Sequence, residues 1–196
     1  TEPGKGTFGG MHSAVIKTDG TLWTFGFNSN GRLGHNQANT SYNSPEQVGS
    51  DTTWKTVSTT YEATYATKTD GTAWSWGWNN NGGNGGILGH NNKTSYSSPR
   101  QIPGTNWNHV QSAGGHTVLA TKTNGTLWTW GSNAYGGLGT NNGTPNVKIS
   151  SPVQIGSDNT WSISIDAMRT SSRASSGCMK TDGTLWVWGR NNYGQL

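Results

Sequence analysis

Lys17-Thr18-Asp19-Gly20-Thr21-Leu22-Trp23 decides the fold, because the same phrase returns three times further along the chain. The later copies are Lys68–Trp74, Lys122–Trp128 and Lys180–Trp186, with Ala73 replacing the leucine in one and Asn124 the aspartate in another. Successive lysines stand 51, 54 and 58 residues apart. Self-similarity at a period of roughly 40–50 residues marks a repeat architecture, in which each unit buries its apolar faces against its neighbours.

The flanks repeat as well. Each phrase runs into an aromatic-glycine pair: Phe25-Gly26, Trp76-Gly77, Trp130-Gly131 and Trp188-Gly189. An Asn/Gly-rich turn then ends in Leu33-Gly34, Leu88-Gly89 or Leu138-Gly139, and a polar loop leads to Ser44-Pro45, Ser98-Pro99 or Ser151-Pro152. Isolated tryptophans follow at Trp54, Trp107 and Trp161. The chain therefore reads as one repeat array over residues 1–196, with approximate repeats 1–50, 51–104, 105–156 and 157–196, the last incomplete.

Thr21-Leu22-Trp23-Thr24-Phe25 alternates with the period of a strand, placing Trp23 and Phe25 on one face and Leu22 and Thr24 on the other. Trp74/Trp76, Trp128/Trp130 and Trp186/Trp188 alternate in the same way, and these eight aromatic residues are the expected blade-packing set. Asp19-Gly20 and its counterparts are hairpin signals, since both residue types tolerate positive φ. The preceding apolar stretch supplies one strand, the segment after each isolated tryptophan another, and the region near Pro45–Val48 and its repeats a weaker fourth. Short antiparallel strands repeated radially predict an all-β protein, a β-propeller.

Composition agrees. Leu, Ile, Val and Phe supply only 26 of 196 residues, but the chain has 11 tryptophans, all but Trp78 at recurring repeat positions, which can build a core of packed indoles. The 30 glycines suit many tight turns. No segment approaches the ~20 apolar residues of a membrane-spanning helix. The formal charge is +4, charged residues are 11% of the chain and no Lys/Arg run occurs, so nucleic acid is not an expected partner. Cys178 stands alone, so no intrachain disulfide forms.

The pattern Asp-Gly-Thr-Leu-Trp-x-Trp-Gly-x-Asn-x-x-Gly-x-Leu-Gly, followed by a loop and Ser-Pro-x-Gln-Val, closely resembles the repeat of the regulator of chromosome condensation (RCC1-like) β-propeller family. Asp19–Gly34 and Asn124–Gly139 are its clearest copies. The low charge and near-identical repeats look like bacterial or phage members. The resemblance implies a seven-bladed ring, of which this chain holds about three and a half blades, and structural hydrogen bonds for His12 and His116. Half a ring would expose two tryptophan-lined faces, so a further C-terminal portion, or self-assembly of several copies, is expected to cover them.

No paired acid and base, nucleophile motif, phosphate loop or metal-ligand spacing occurs, so no catalytic residue, metal site or cofactor is expected. Two surfaces are candidates for binding a protein or a glycan on one propeller face. One is the set of loops that vary in length and sequence on a constant frame, Asn36–Asn43, Asn91–Ser97 and Thr140–Ser150, carrying Asn36, Tyr42, Asn91, Tyr96, Asn141 and Asn142. The Asn81–Ile87 insert is a further loop of this kind. The other is a rim of Lys17, Lys68, Lys122 and Lys180, with His35 and His90 after Leu-Gly. Lysine beside a tight turn also serves simply to protect a sheet edge. Asn-x-Ser/Thr triplets at Asn39, Asn92, Asn124 and Asn142 matter only in a glycosylating pathway. The reading is a non-catalytic recognition or structural module, extracellular or on a virion surface. A secreted inhibitor of an enzyme is the alternative. A GTPase exchange factor with chromatin binding, the activity of the family's founder, is a further one.

Overall fold

The computed structural model describes residues 5–79, 85–112, 116–141, 147–171, 175–194 and 196. They form four antiparallel sheets that follow one another along the chain. The first holds β1 (Lys5–Phe8), β2 (His12–Ile16), β3 (Leu22–Gly26) and β4 (Tyr42–Gln47). The second holds β5 (Trp54–Thr59), β6 (Ala63–Lys68), β7 (Ala73–Gly77) and β8 (Tyr96–Gln101). β9 (Trp107–Ser112), β10 (Thr117–Lys122), β11 (Leu127–Ser132) and β12 (Lys148–Gln154) make the third, and β13 (Met168–Thr170), β14 (Ser175–Met179) and β15 (Leu185–Gly189) the fourth. This is a β-propeller of about three and a half blades, each blade pairing its strands in chain order.

The repeated phrase folds as a self-contained hairpin. The Asp19 carboxylate accepts hydrogen bonds from both the amide and the hydroxyl of Thr21, and the Thr21 hydroxyl accepts the Trp23 indole N–H at 2.8 Å. The same relay runs through Asp70-Thr72-Trp74, Asn124-Thr126-Trp128 and Asp182-Thr184-Trp186. Only the glycine of each pair takes positive φ, 82° at Gly20, whereas the preceding Asp does not. The turn is thus shaped by the Asp side chain and one left-handed glycine rather than by two left-handed residues. Glycine is needed at this position for a second reason. A Cβ on Gly20 would sit 1.9 Å from the Thr52 carbonyl oxygen, and one on Gly125 2.0 Å from that of Asn159.

Pro45, Pro99 and Pro152 lie in β4, β8 and β12, the outermost strand of each sheet, where a missing N–H leaves no ladder bond unmade. The β3–β4, β7–β8 and β11–β12 pairings all shift register near this edge.

Blades stack with a fixed polarity. Trp54 and Trp76 of the second blade pack on Ala14, Ile16, Leu22 and Val48 of the first. Trp107, Trp130 and Val118 of the third pack on Tyr65, Ala73, Leu88 and Ile102 of the second, and Trp161, Met168 and Cys178 of the fourth pack on Leu119 and Leu127 of the third. Tryptophan faces thus meet leucine-alanine faces at every seam. An indole burying roughly 200 Å² contributes several kcal/mol at ~25 cal/mol per Å², which is how so few aliphatic side chains suffice. The leucine-type face of the fourth blade has no such cover among the described residues: Leu185 is 66% exposed, whereas Leu127 at the same position is fully buried.

One expected strand is absent. The strand read from Trp161 onward is instead a single bridge between Trp161 and Lys180, and β13 begins at Met168. Trp54 and Trp107 precede their lysines by 14 and 15 residues, but Trp161 precedes Lys180 by 19. The surplus detours through Ser162–Ala167, where Ile163, Ser164, Ile165 and Asp166 are exposed, before the ladder resumes.

Candidate functional site

The antiparallel register gives the propeller two ends. Ile16 opposite Leu22 puts the Lys17–Gly20 turn at one end, and His12 opposite Gly26 puts the β1–β2 turn and Phe27 at the other.

At the first end the four repeat lysines lie over indoles. Lys17 Nζ is 3.5 Å from the ring centroid of Trp23, and Lys68 is 4.7 and 4.2 Å from Trp54 and Trp74. Lys122 stands over Trp107 and Trp128, and Lys180 over Trp161 and Trp186. Lys68 and Lys180 also pair with Asp51 and Asp158, whose carboxylates accept two further hydrogen bonds from Thr53 and Thr160. The lysine and the threonine bonds pull the Asp51 pKa down to about 2 and that of Asp158 lower still. These charges are held by the blade's own groups.

The loop residues are drawn inward. His35 Nε2 lies 2.9 Å from the Thr24 hydroxyl with its ring edge-on to Tyr42, and His90 repeats this with Ser75 and Tyr96. Burial lowers both imidazoles, His90 to about 4, so both are neutral at physiological pH. The Tyr96 hydroxyl accepts from Asn92, and Arg100 stacks on its ring. Asn36, Asn91 and Asn141 are exposed and take positive φ, the first two donating their amides to Ser97 and Ser150 of the next blade. Asn142 and most of the Asn81–Ile87 insert lie outside the described residues. Four of the candidate residues, His35, Asn36, Lys68 and Trp74, come together in one groove of about 470 Å³ between the first two blades, with Asp51 in its wall.

The opposite end was not singled out from the sequence. Phe27, Tyr61, Tyr135 and Tyr193 are 48, 55, 58 and 76% exposed there. Arg32 is buried beside them: its Nε donates to the Ser29 carbonyl, its Nη1 to the Tyr61 carbonyl, and its guanidinium stacks on Phe27. Arg190 stacks between Tyr135, 4.6 Å away, and Tyr193. Glu62 and His116 pair across the next seam at 3.3 Å. His12 turns inward and is bonded to the Thr64 hydroxyl at 2.8 Å; burial and the Arg32 charge hold its pKa near 3. Behind this display Asn28, Asn79 and Asn133 are buried and hold the loop amides of Leu33, Leu88 and Leu138. The residue just before each of them varies: Phe27, Trp78 and Ser132, with Arg190 before Asn191 in the fourth blade. That contrast, a fixed asparagine beside a changing neighbour, was the available signal.

Among the described residues no group of three or more His, Cys, Asp or Glu side chains could hold a metal ion, and no helix is long and apolar enough to cross a membrane. Cys178 is buried, and burial pushes its thiol up to about 11.

The fold is a propeller built of tryptophan-rich blades with exposed aromatic side chains at one end. The family model of the regulator of chromosome condensation (RCC1) repeat matches residues 19–66 and 124–167 of the chain. It is 27% identical over 195 residues to the mouse and human E3 ubiquitin-protein ligase HERC2, covering 93% of this chain but 4% of those proteins. The crystal structure of human WBSCR16 superposes with a TM-score of 0.76 at 22% identity, over 97% of this chain and 48% of that one. Yeast RCC1 (Prp20), solved bound to Kap60, superposes at 0.77 with 18% identity, over 97% and 44%. The chain therefore spans about half the length of these solved propellers. These relatives are animal and yeast proteins, so the bacterial or phage affinity expected from composition finds no support among them.

Proposed function

We propose that this chain is a non-catalytic recognition module that holds a protein partner against the end carrying Phe27, Tyr61, Tyr135 and Tyr193. The observation behind it is the exposure of four aromatic rings beside Arg32 and Arg190, on turns whose constant residues are occupied in holding the backbone. Tyr and Arg are, with Trp, enriched among the side chains that dominate binding energy at protein interfaces, and Tyr buries area with little entropy loss. Yeast Prp20, a protein of the same fold, was solved bound to a protein partner, Kap60.

An enzyme as the partner would make the chain an inhibitor, which is a special case of the same reading. Guanine-nucleotide exchange is not favoured, since likeness at 18–22% identity carries the fold and no acting residues. An extracellular or virion-surface setting rests on the polar, low-charge composition alone.

The test is quantitative capture from native cell material by the wild-type chain and by a Phe27→Ala/Tyr61→Ala/Tyr135→Ala variant. The expected result is loss of a specific bound protein from the variant, with circular dichroism and the unfolding midpoint unchanged. Equal capture by both would contradict the proposal.

A further inference from the structure

The lysine boxes are not all alike. In the second and fourth blades the segment before the isolated tryptophan is Gly49-Ser50-Asp51-Thr52-Thr53 and Gly156-Ser157-Asp158-Asn159-Thr160, and the aspartate meets the blade's lysine. In the third blade it is Pro103-Gly104-Thr105-Asn106, one residue shorter and without an acid. No carboxylate among the described residues lies within ion-pair distance of Lys122, whose ammonium is 4.5 and 4.4 Å from the centroids of Trp107 and Trp128.

A notch stands where the acid would be. The position a Cβ would take on Gly104 is 3.5 Å from Lys122 Nζ and 3.6 Å from Trp107 Nε1, the nearest atoms outside its own chain neighbours. Trp107 is 1% exposed and its indole N–H has no acceptor. An ammonium and a buried, unpartnered N–H donor thus converge on one small space, the donor pair an anion needs. Trp54 and Trp161 also have unpartnered indole N–H groups; there the aspartate meets the lysine alone, and what sets the third box apart is the lysine without an acid. Desolvation without a counter-charge lowers the Lys122 pKa, and an incoming anion would restore it.

We infer that the notch over Gly104 is a carboxylate-binding site, in which Lys122 Nζ takes up an acidic group supplied from outside the chain, as Asp51 and Asp158 are supplied to Lys68 and Lys180 from within, with Trp107 Nε1–H as a second donor. An aspartate or glutamate side chain of a protein and a free small carboxylate share this chemistry. The site lies at the end opposite the aromatic display and does not depend on that surface being a partner site.

Amide and indole ¹H–¹⁵N spectra of the whole chain, titrated at constant ionic strength with acetate and separately with the blocked peptide acetyl-Gly-Asp-Thr-amide, test it. The expected result is a saturable shift of the Trp107 indole N–H and the Lys122 amide with millimolar affinity, while the Trp54 and Trp161 indoles stay put. A response to the peptide at lower concentration than to acetate assigns a side chain; equal responses assign a free carboxylate. The control replaces Pro103–Asn106 with the Gly-Ser-Asp-Asn-Thr of the fourth blade, filling the notch. It should abolish the shift and raise the unfolding midpoint. No saturable shift, equal shifts at all three indoles, or an undiminished shift in the loop replacement would overturn the site. Lys122→Met, which keeps the length of the stem over the two indoles, guards against misfolding of the replacement and should also lose the shift.

Discussion

The two ends of this propeller are built from the same repeat and differ in what the repeat leaves over. At the lysine end each copy closes on itself: aspartate or asparagine to threonine, threonine to tryptophan, lysine over the indole. At the other end the constant asparagine is buried and the residue beside it changes from blade to blade, from Phe27 to Trp78 to Ser132. Repetition there carries structure, and departure from repetition carries display. Sequence signals that recur most strongly are therefore the least informative about partners.

This difference is open to attack by mutation, and the largest effects belong to the lysine end. Trp107→Ala removes a fully packed indole from the second seam and should cost ~3–5 kcal/mol in denaturant unfolding, whereas Tyr135→Ala should cost no more than ~0.5 kcal/mol. Comparable losses at the two sites would erase the distinction. Gly125→Ala should cost ~1–3 kcal/mol, since its φ of 78° disfavours a side chain and the new Cβ would meet the Asn159 carbonyl oxygen at 2.0 Å.

A smaller effect is electrostatic. The folded-state pKa of Asp51, about 2, lies below the ordinary aspartate value of 3.8, so its contribution is present above about pH 4 and is lost as pH falls toward 2. The pair is partly exposed and is worth ~0–1 kcal/mol. Asp51→Asn should lower the unfolding midpoint slightly at neutral pH and flatten its fall between pH 4 and 2; an unchanged acid limb would contradict the pairing. The smallest stability change is expected for Tyr61→Ala, near zero by thermal unfolding, with partner capture reduced.

Much of the fold was legible because its causes are local. The Asp19-Gly20 turn, the alternation of Leu22 and Trp23 and the edge prolines act within one hairpin or one strand, and each is restated several times. The strand expected at Trp161 failed for a countable reason, the longer Trp161–Lys180 interval. The display end was hidden because it is assembled across turns. Met11, Phe27, Arg32 and Tyr61 belong to three separate connections and meet only when two blades stack. His35 and His90 follow Leu-Gly as a loop residue would, yet their rings lie against Thr24 and Ser75 of the strand behind. Nothing in their spacing distinguishes a ring that faces the blade from one that faces water.

The central claim, that recognition belongs to the irregular end, is tested most directly by site-specific photo-cross-linking in native cell material. A photoreactive phenylalanine would replace Tyr61, Tyr135 or Tyr193 at one end and Thr18 or Thr181 at the other. The account predicts that the first three positions cross-link to one common protein and that Thr18 and Thr181 do not. Cross-links to a common protein from Thr18 and Thr181, with none from the tyrosine positions, would contradict it.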